Sequence, residues 1–257
     1  MTEKPTGVAW SVDSGLATIT MARGHGNAID GQLVEGLASA FREAEVDPTV
    51  RGALLTSAGK IFCPGLDLQE LMDHDRPAMA AFMRGFGQCL SSLYSFPKPL
   101  VAAISGHALA GGCILALTAD WSVLRRGALV GLNEVRVGVP LPFGVAEILR
   151  ASVHPNRLEE VALLGRNYSD EDAVATGLVH ELHEADGFQE HCRARLEEFA
   201  SKDLAALATT KRYLRLGTLE GIARGECFLD EFLDCWFSEG TRARIQEIVQ
   251  DLKSRSK

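Results

Sequence analysis

Long apolar runs are missing from this chain. No window approaches about 18 consecutive apolar residues, so no segment reads as a transmembrane helix. No apolar stretch follows Met1-Thr2-Glu3-Lys4-Pro5, and Ser254-Arg255-Ser256-Lys257 carries no address signal. The cytoplasm is therefore the expected compartment, with no membrane partner. Positive charge is in deficit: 26 Lys and Arg stand against 34 Asp and Glu, a formal net charge of −8. That balance argues against a nucleic-acid surface and leaves only local cations to meet an anionic ligand. None of the six cysteines (Cys63, Cys89, Cys113, Cys192, Cys227 and Cys235) forms a C-x-x-C pair. A zinc knuckle and a thioredoxin-like motif are thereby set aside, and the thiols read as reduced small hydrophobes. His180 and His183 have no third ligand nearby, so they read as surface histidines and no metal is expected. Low-complexity segments, clear internal repeats and long linkers are also lacking.

What is present is a large apolar content, 46% of 257 residues, enough for a sizeable core. Val8 to Trp10 and Leu16 to Met21 flank Asp13-Ser14-Gly15 and predict a hairpin. Asp30 is placed to cap a helix running to about Ala44, with Leu33, Leu37 and Phe41 on one face. Arg51 to Thr56 reads as a buried strand, Ile61 to Gly65 as the approach to a helix from about Leu66, and Pro77 to Ser95 as another helix. Leu100 to Ile104 and Trp121 to Leu124 are further strands. Strands alternating with helices predict an α/β fold. From about Asp186 the strands stop, and four helical runs follow, broken near Ser201-Lys202-Asp203, Gly217 and Gly240.

The most informative stretch is Gly106-His107-Ala108-Leu109-Ala110-Gly111-Gly112-Cys113-Ile114-Leu115-Ala116-Leu117. A glycine pair opens an apolar helical run directly after an apolar strand. Amides in the first turn of a helix lack intrahelical partners and sit at the positive end of its dipole. Glycine lets a substrate approach them closely, and such a turn can hold an oxygen that becomes negative during reaction. A tight helix start needed only for packing would use the same glycines.

Four segments occur in order: Gly26-Asn27-Ala28-Ile29, Lys60-Ile61-Phe62-Cys63-Pro64-Gly65-Leu66-Asp67-Leu68, the Gly106–Leu117 stretch, and Gly131-Leu132-Asn133-Glu134. Together they resemble the crotonase superfamily, the enoyl-CoA hydratase/isomerase family, over roughly residues 5 to 255. The resemblance implies a crotonase-like spiral of β-β-α units, residues 1–185, which holds the acyl-CoA site. A C-terminal helical trimerisation region, residues 186–257, would follow and give a homotrimer or a dimer of trimers. Phe228, Phe232 and Trp236, spaced i,i+4, form the stripe that suggests assembly; the alternative is that they pack on the chain's own core.

Carried across position by position, the resemblance makes the amides of Leu66 and Gly111 the oxyanion hole. Gly65 would aim the Leu66 amide inward, while Pro64 departs from the family's usual alanine. Asn27, Ala28, Cys63, Asp67, Leu68, Gly112 and Ile114 fall at substrate-binding positions. Arg23 and Lys60 are candidate phosphate neighbours, the alternative for both being a solvated surface cation. Asp67 and Glu70 read as structural, Asp120 as satisfying backbone groups after the buried helix, and His107 as a packing or hydrogen-bonding residue.

The carboxylates point to the reaction. Hydratases of the family use two glutamates, the first three residues after the oxyanion glycine. Here that position is Ile114, and only the second, Glu134, is matched. One carboxylate suffices to move a proton from C2 to C4 of a 3-enoyl thioester, and an apolar wall raises its basicity. Val139-Pro140-Leu141-Pro142-Phe143 replaces the glycine-rich segment usual after the second glutamate of hydratases. The resemblance is nearest to Δ3,Δ2-enoyl-CoA isomerases, with a coenzyme A thioester as substrate and no cofactor. The alternatives are an enoyl-CoA hydratase, another crotonase-fold hydrolase or decarboxylase, and a non-catalytic acyl-CoA-binding subunit.

Overall fold

In the computed structural model, which describes residues 7–255, strands go alternately to two sheets. The chain opens with β1 (Val8–Asp13), β2 (Leu16–Met21), α1 (Gly24–Asn27) and α2 (Gly31–Val46). Three turns of a spiral follow. The first is β3 (Gly52–Ser57), β4 (Ile61–Cys63), α3 (Leu68–Leu71) and α4 (Arg76–Ser95). The second is β5 (Leu100–Ile104), β6 (His107–Leu109) and α5 (Gly111–Leu117). The third is β7 (Trp121–Arg125), β8 (Leu129–Gly131), α6 (Glu134–Val137), α7 (Phe143–Ser152) and α8 (Leu158–Leu164). Then come β9 (Asn167–Ser169), α9 (Asp170–Thr176), β10 (Glu181–His183) and the helices α10 (Phe188–Ala200), α11 (Leu204–Arg224), α12 (Leu229–Trp236) and α13 (Glu239–Arg255). The larger sheet has the order β1-β2-β3-β5-β7-β10 and the smaller β4-β6-β8-β9. This is the expected crotonase-like α/β spiral with a helical C-terminal region.

The larger sheet is parallel from β2 onward and covered on both faces. In β3 and β5, Ala53, Leu55, Leu100, Ala102 and Ile104 face the main core. Leu54, Val101 and Ala103 face Phe188, Cys192 and Leu196 of α10 instead. Two buried faces explain why these strands read as unbroken apolar runs. The hairpin and the Asp30 cap, whose carboxylate accepts from the Leu33 amide at 2.8 Å, form as the sequence predicts.

Three expectations are corrected. The Gly106–Gly112 stretch is not all helix approach: His107–Leu109 forms β6 before α5 begins. Helix α11 runs unbroken through Gly217, where a glycine costs only about 1 kcal/mol of propensity and tertiary contacts override it. Phe232 and Trp236 are buried in a second core with Leu71, Met79 and Ile245, so two of the three stripe residues pack within the chain, while Phe228 stacks on Phe143 and stays partly exposed.

Asp120 does more than satisfy a strand end. It accepts from the Leu100 amide at 2.8 Å, and it pairs with Lys211 Nζ at 2.7 Å and Arg215 at 2.9 Å. Arg215 also donates to the carbonyls of Tyr94, Thr118 and Ala119. This network bolts α11 to the end of α5. Burial pushes the Lys211 ammonium down to about 8 despite its carboxylate partner. We predict that Asp120→Ala lowers unfolding free energy by about 3 kcal/mol or more, because two cations and an amide lose a shared partner. Urea denaturation checks this; a change below ~1 kcal/mol would refute the structural role.

Candidate active site

Three candidate groups leave the carboxyl ends of three consecutive parallel strands of the smaller sheet. Leu66 follows β4, Gly111 follows β6, and Glu134 follows β8. The register Ile61↔His107 and Ala108↔Val130 sets these ends side by side. Carboxyl ends of parallel strands are where open α/β sheets leave room for ligands.

After β4 the chain is pinned from one side. The Ile29 amide donates to the Gly65 carbonyl at 2.8 Å, and the Asp67 amide to the Ile29 carbonyl at 2.9 Å. In an extended segment neighbouring peptides face opposite ways. The Leu66 amide is therefore turned away from Ile29. Gly65, at φ +104°, makes the turn, and a Cβ there would lie 2.8 Å from the Ala110 methyl and 3.3 Å from the Gly111 nitrogen. The two loops thus touch. Ala110 takes φ 48° and ψ −123°, a region that favours glycine and costs a side-chain-bearing residue about 1–3 kcal/mol. The peptide it presents is that of Gly111. No hydrogen bond among the described residues uses the amide of Leu66 or of Gly111. Gly112 is set by close approach: a Cβ there would fall 2.1 Å from the Cys63 carbonyl oxygen.

Glu134 begins α6. Its carbonyl accepts from the amides of Gly138 at 3.1 Å and Val139 at 3.2 Å, while its Oε2 is buried with no partner. Burial pushes the carboxyl up to about 7, with its own amide opposing, and no neighbouring charge enters. The Glu134 carboxylate in turn adds to burial in raising the thiol of Cys113, in the first turn of α5. Ile114 is 2% exposed and belongs to the main core.

The remaining sequence candidates divide. Asp67 caps α3, accepting from the amides of Gln69 and Glu70, and Leu68 packs against the second core. Cys63 is buried, its thiol pushed up to about 12. Asn27 is 1% exposed; it donates to the carbonyls of Ile61 and Phe62 and accepts from the Arg23 amide. Its side chain is thus spent on bracing β4, and only backbone is left there, with buried Ala28, to meet a ligand. Arg23 is neither solvated nor free: it pairs with the buried Asp30 and donates to Gln32 at 2.8 Å. Lys60 is exposed and has no ion-pair partner among the described residues. His107 accepts from the Leu129 amide, as a hydrogen-bonding residue should. His180 and His183 are engaged with Ser122 and the Glu184 carbonyl.

A cavity of about 630 Å³ lies beyond Phe86, and none of Leu66, Gly111, Ile114 and Glu134 lines it. Met83, Phe86, Leu141, Phe143, Ile148 and Phe228 supply most of its apolar wall. Phe86 connects it to the site, since a Cβ on Gly111 would lie 3.6 Å from the Phe86 ring. Sequence reasoning did not find Phe143 and Phe228, which stack at 4.8 Å across 85 positions. The Val139–Phe143 segment was visible as an anomaly, but its lining role needs the fold.

A family model described as enoyl-CoA hydratase/isomerase matches residues 11–221. The chain belongs to the enoyl-CoA hydratase/isomerase family. It is thus an acyl-CoA enzyme of the crotonase superfamily. Among its relatives is a probable enoyl-CoA hydratase, EchA17, of Mycobacterium tuberculosis, 32% identical over 202 residues, covering 78% of this chain and 77% of that one. A carnitinyl-CoA dehydratase of Salmonella typhi is 30% identical over 201 residues, covering 78% and 77%. The crystal structure of human mitochondrial Δ3-Δ2-enoyl-CoA isomerase superposes with a TM-score of 0.93 over 98% of this chain and all of that one; at 23% identity this speaks to fold. Members of the family with different reactions thus share this scaffold.

The raised Glu134 carboxyl carries a stability consequence. The folded chain binds this proton more tightly than the unfolded chain, so stability falls as pH rises from about 4.5 to about 7, and the cost is full above that. Glu134→Gln is expected to be more stable than wild type at pH 8 by about 1–3 kcal/mol, with the difference gone below pH ~4. Denaturation at both pH values measures it; a variant less stable at pH 8 would contradict the burial argument.

Proposed function

We propose that this chain is a Δ3,Δ2-enoyl-CoA isomerase. The observation that carries the reading is a single buried carboxyl, raised to about 7 by burial alone, on a site whose other expected carboxylate position is the buried Ile114. The thioester oxygen of a 3-enoyl-CoA is held by the amides of Leu66 and Gly111. Glu134 removes a proton from C2, and the electron pair moves into the C2–C1 bond while charge gathers on that oxygen. The two amides stabilise this dienolate. The protonated Glu134 then delivers its proton to C4. The double bond has moved from C3–C4 to C2–C3, where it is conjugated with the thioester, and Glu134 is again ionised. The chemistry needs no cofactor. Lys60 is the remaining cation for the CoA phosphates, since Arg23 is committed to Asp30.

The acyl tail runs past Phe86 into the apolar cavity, where each buried methylene adds about 0.8 kcal/mol. Exposed Tyr213, Leu214 and Leu216 on α11 support association of copies into a homotrimer or dimer of trimers. The hydratase and dehydratase names of its relatives favour a second reading, addition of water to a 2-enoyl-CoA. That reaction needs an acid that positions water opposite Glu134, where this chain carries isoleucine.

Rates on matched 3-enoyl- and 2-enoyl-CoA substrates decide between them. Isomerisation is expected to exceed hydration, and the reverse order would overturn the assignment. Glu134→Gln should lower isomerase kcat by roughly 10²–10⁴ while CoA binding persists. Because the base must be ionised, kcat should rise with pH and level off above about 7. A variant with near wild-type turnover would remove Glu134 as the base. Ile114→Glu is expected to lower isomerisation more than it raises hydration, since a second carboxylate wets the wall and perturbs Glu134. Unchanged isomerisation in a folded variant would show that Ile114 does not face the reacting carbons.

A further inference from the structure

The two halves of the site sit on elements too short to orient themselves. Helix α6, which begins with Glu134, and helix α3, just after Leu66, each have four residues. Isolated helices of that length do not hold in water. The Glu134 Oε2 has no hydrogen bond to steady it. The base is therefore placed by its backbone, and that backbone by whatever α6 rests on.

Two adjacent residues in the first turn of α13 reach both elements. Thr241, 2% exposed, donates its hydroxyl to the Gly138 carbonyl at 2.9 Å. Gly138 closes α6, and its own amide donates to the Glu134 carbonyl. Arg242 donates to the Met72 carbonyl at 2.8 Å, and Met72 closes α3. The second core binds the same three parts. Leu71 and Val139 are buried in it with Trp236 and Ile245, and Leu66 and Val137 pack against it. One helix start thus spans the distance between the oxyanion side and the base.

We propose that Thr241 and Arg242 are positioning residues, which fix the separation of Glu134 from the Leu66 amide through Gly138 and Met72. The inference rests on the proposed role of Glu134 as base. A displacement of about 1 Å at such a site costs on the order of 10² in rate. The linkage predicts a loss in kcat rather than in substrate affinity, because none of Thr241, Arg242, Gly138 and Met72 lines the apolar cavity that would hold the acyl tail.

The test compares Thr241→Val, which keeps the branched shape and removes the donor, with Thr241→Ser, which keeps the donor. On the acyl-CoA reaction that wild type catalyses, Thr241→Val should lower kcat roughly tenfold to a hundredfold with KM within about twofold. Thr241→Ser should restore most of it. Hydrogen–deuterium exchange on the full chain gives a readout independent of turnover: the segment 134–139 should exchange faster in Thr241→Val, while β3 and β5 stay protected. If wild type hydrates rather than isomerises, the proposed activity fails, and the same variant series still judges Thr241 on hydration and exchange. Wild-type kcat in Thr241→Val, a loss confined to KM, failure of Thr241→Ser to restore, or unchanged exchange at 134–139 would each overturn the inference. Should Thr241→Val not fold, Arg242→Gln carries the test from the other side. It should lower kcat and speed exchange over 66–72, and wild-type values for both would refute it.

Discussion

Keeping the Glu134 carboxyl buried with a bare Oε2 costs about 1–3 kcal/mol whenever it is ionised, a cost that its own amide offsets only in part and that no neighbouring cation relieves. Everything around the site is arranged to maintain that condition. Ile114 and the main core exclude charge from the neighbouring helix, and Cys113 in its first turn is a thiol whose own ionisation burial opposes. A carboxyl in this setting holds a proton near neutral pH and releases it readily, which suits general acid–base chemistry.

The same logic governs the amides of Leu66 and Gly111. Backbone N–H groups inside a fold are normally paired, so keeping these two open, one on half-buried Leu66 and one on buried Gly111, requires their neighbours to be held elsewhere. The bridge from Ile29 to Gly65 and Asp67 occupies the groups on either side of the Leu66 amide. The strained Ala110 turn does the equivalent for Gly111. These local costs are carried by a fold with ample reserve: a parallel sheet buried on both faces, and an ionic network at Asp120 that ties α11 to the core. The small sheet brings the three candidate segments to one edge, because β4, β6 and β8 end together and each releases one of them.

Much of the site was legible in the chain because its parts are local. Gly65-Leu66-Asp67, Ala110-Gly111-Gly112 and Asn133-Glu134 are short runs whose residue types answer to backbone geometry. Turn glycines, a capping aspartate and an isoleucine in place of a glutamate can each be read without a fold. The bonds of Arg23 and Asn27 were not legible in the chain, for the opposite reason. Their partners, Asp30 and the β4 carbonyls, take up the groups that a ligand would have used. Three-residue strands such as β6 and β8 escaped notice because so few residues show no period; they exist through their neighbours in the sheet.

By itself the sequence determined the alternating α/β order, the two-faced burial of the strands, the cap at Asp30 and the presence of one carboxylate where two are needed for hydration. These follow from residue type and spacing, which act over a few positions. Tertiary structure alone decided that Phe232 and Trp236 face inward, that α11 continues through Gly217, that Phe86, Phe143 and Phe228 line one cavity, and that Thr241 reaches Gly138. Each of these joins residues far apart in the chain. Their energies arise from burial and hydrogen bonding between surfaces that meet only once the spiral has closed.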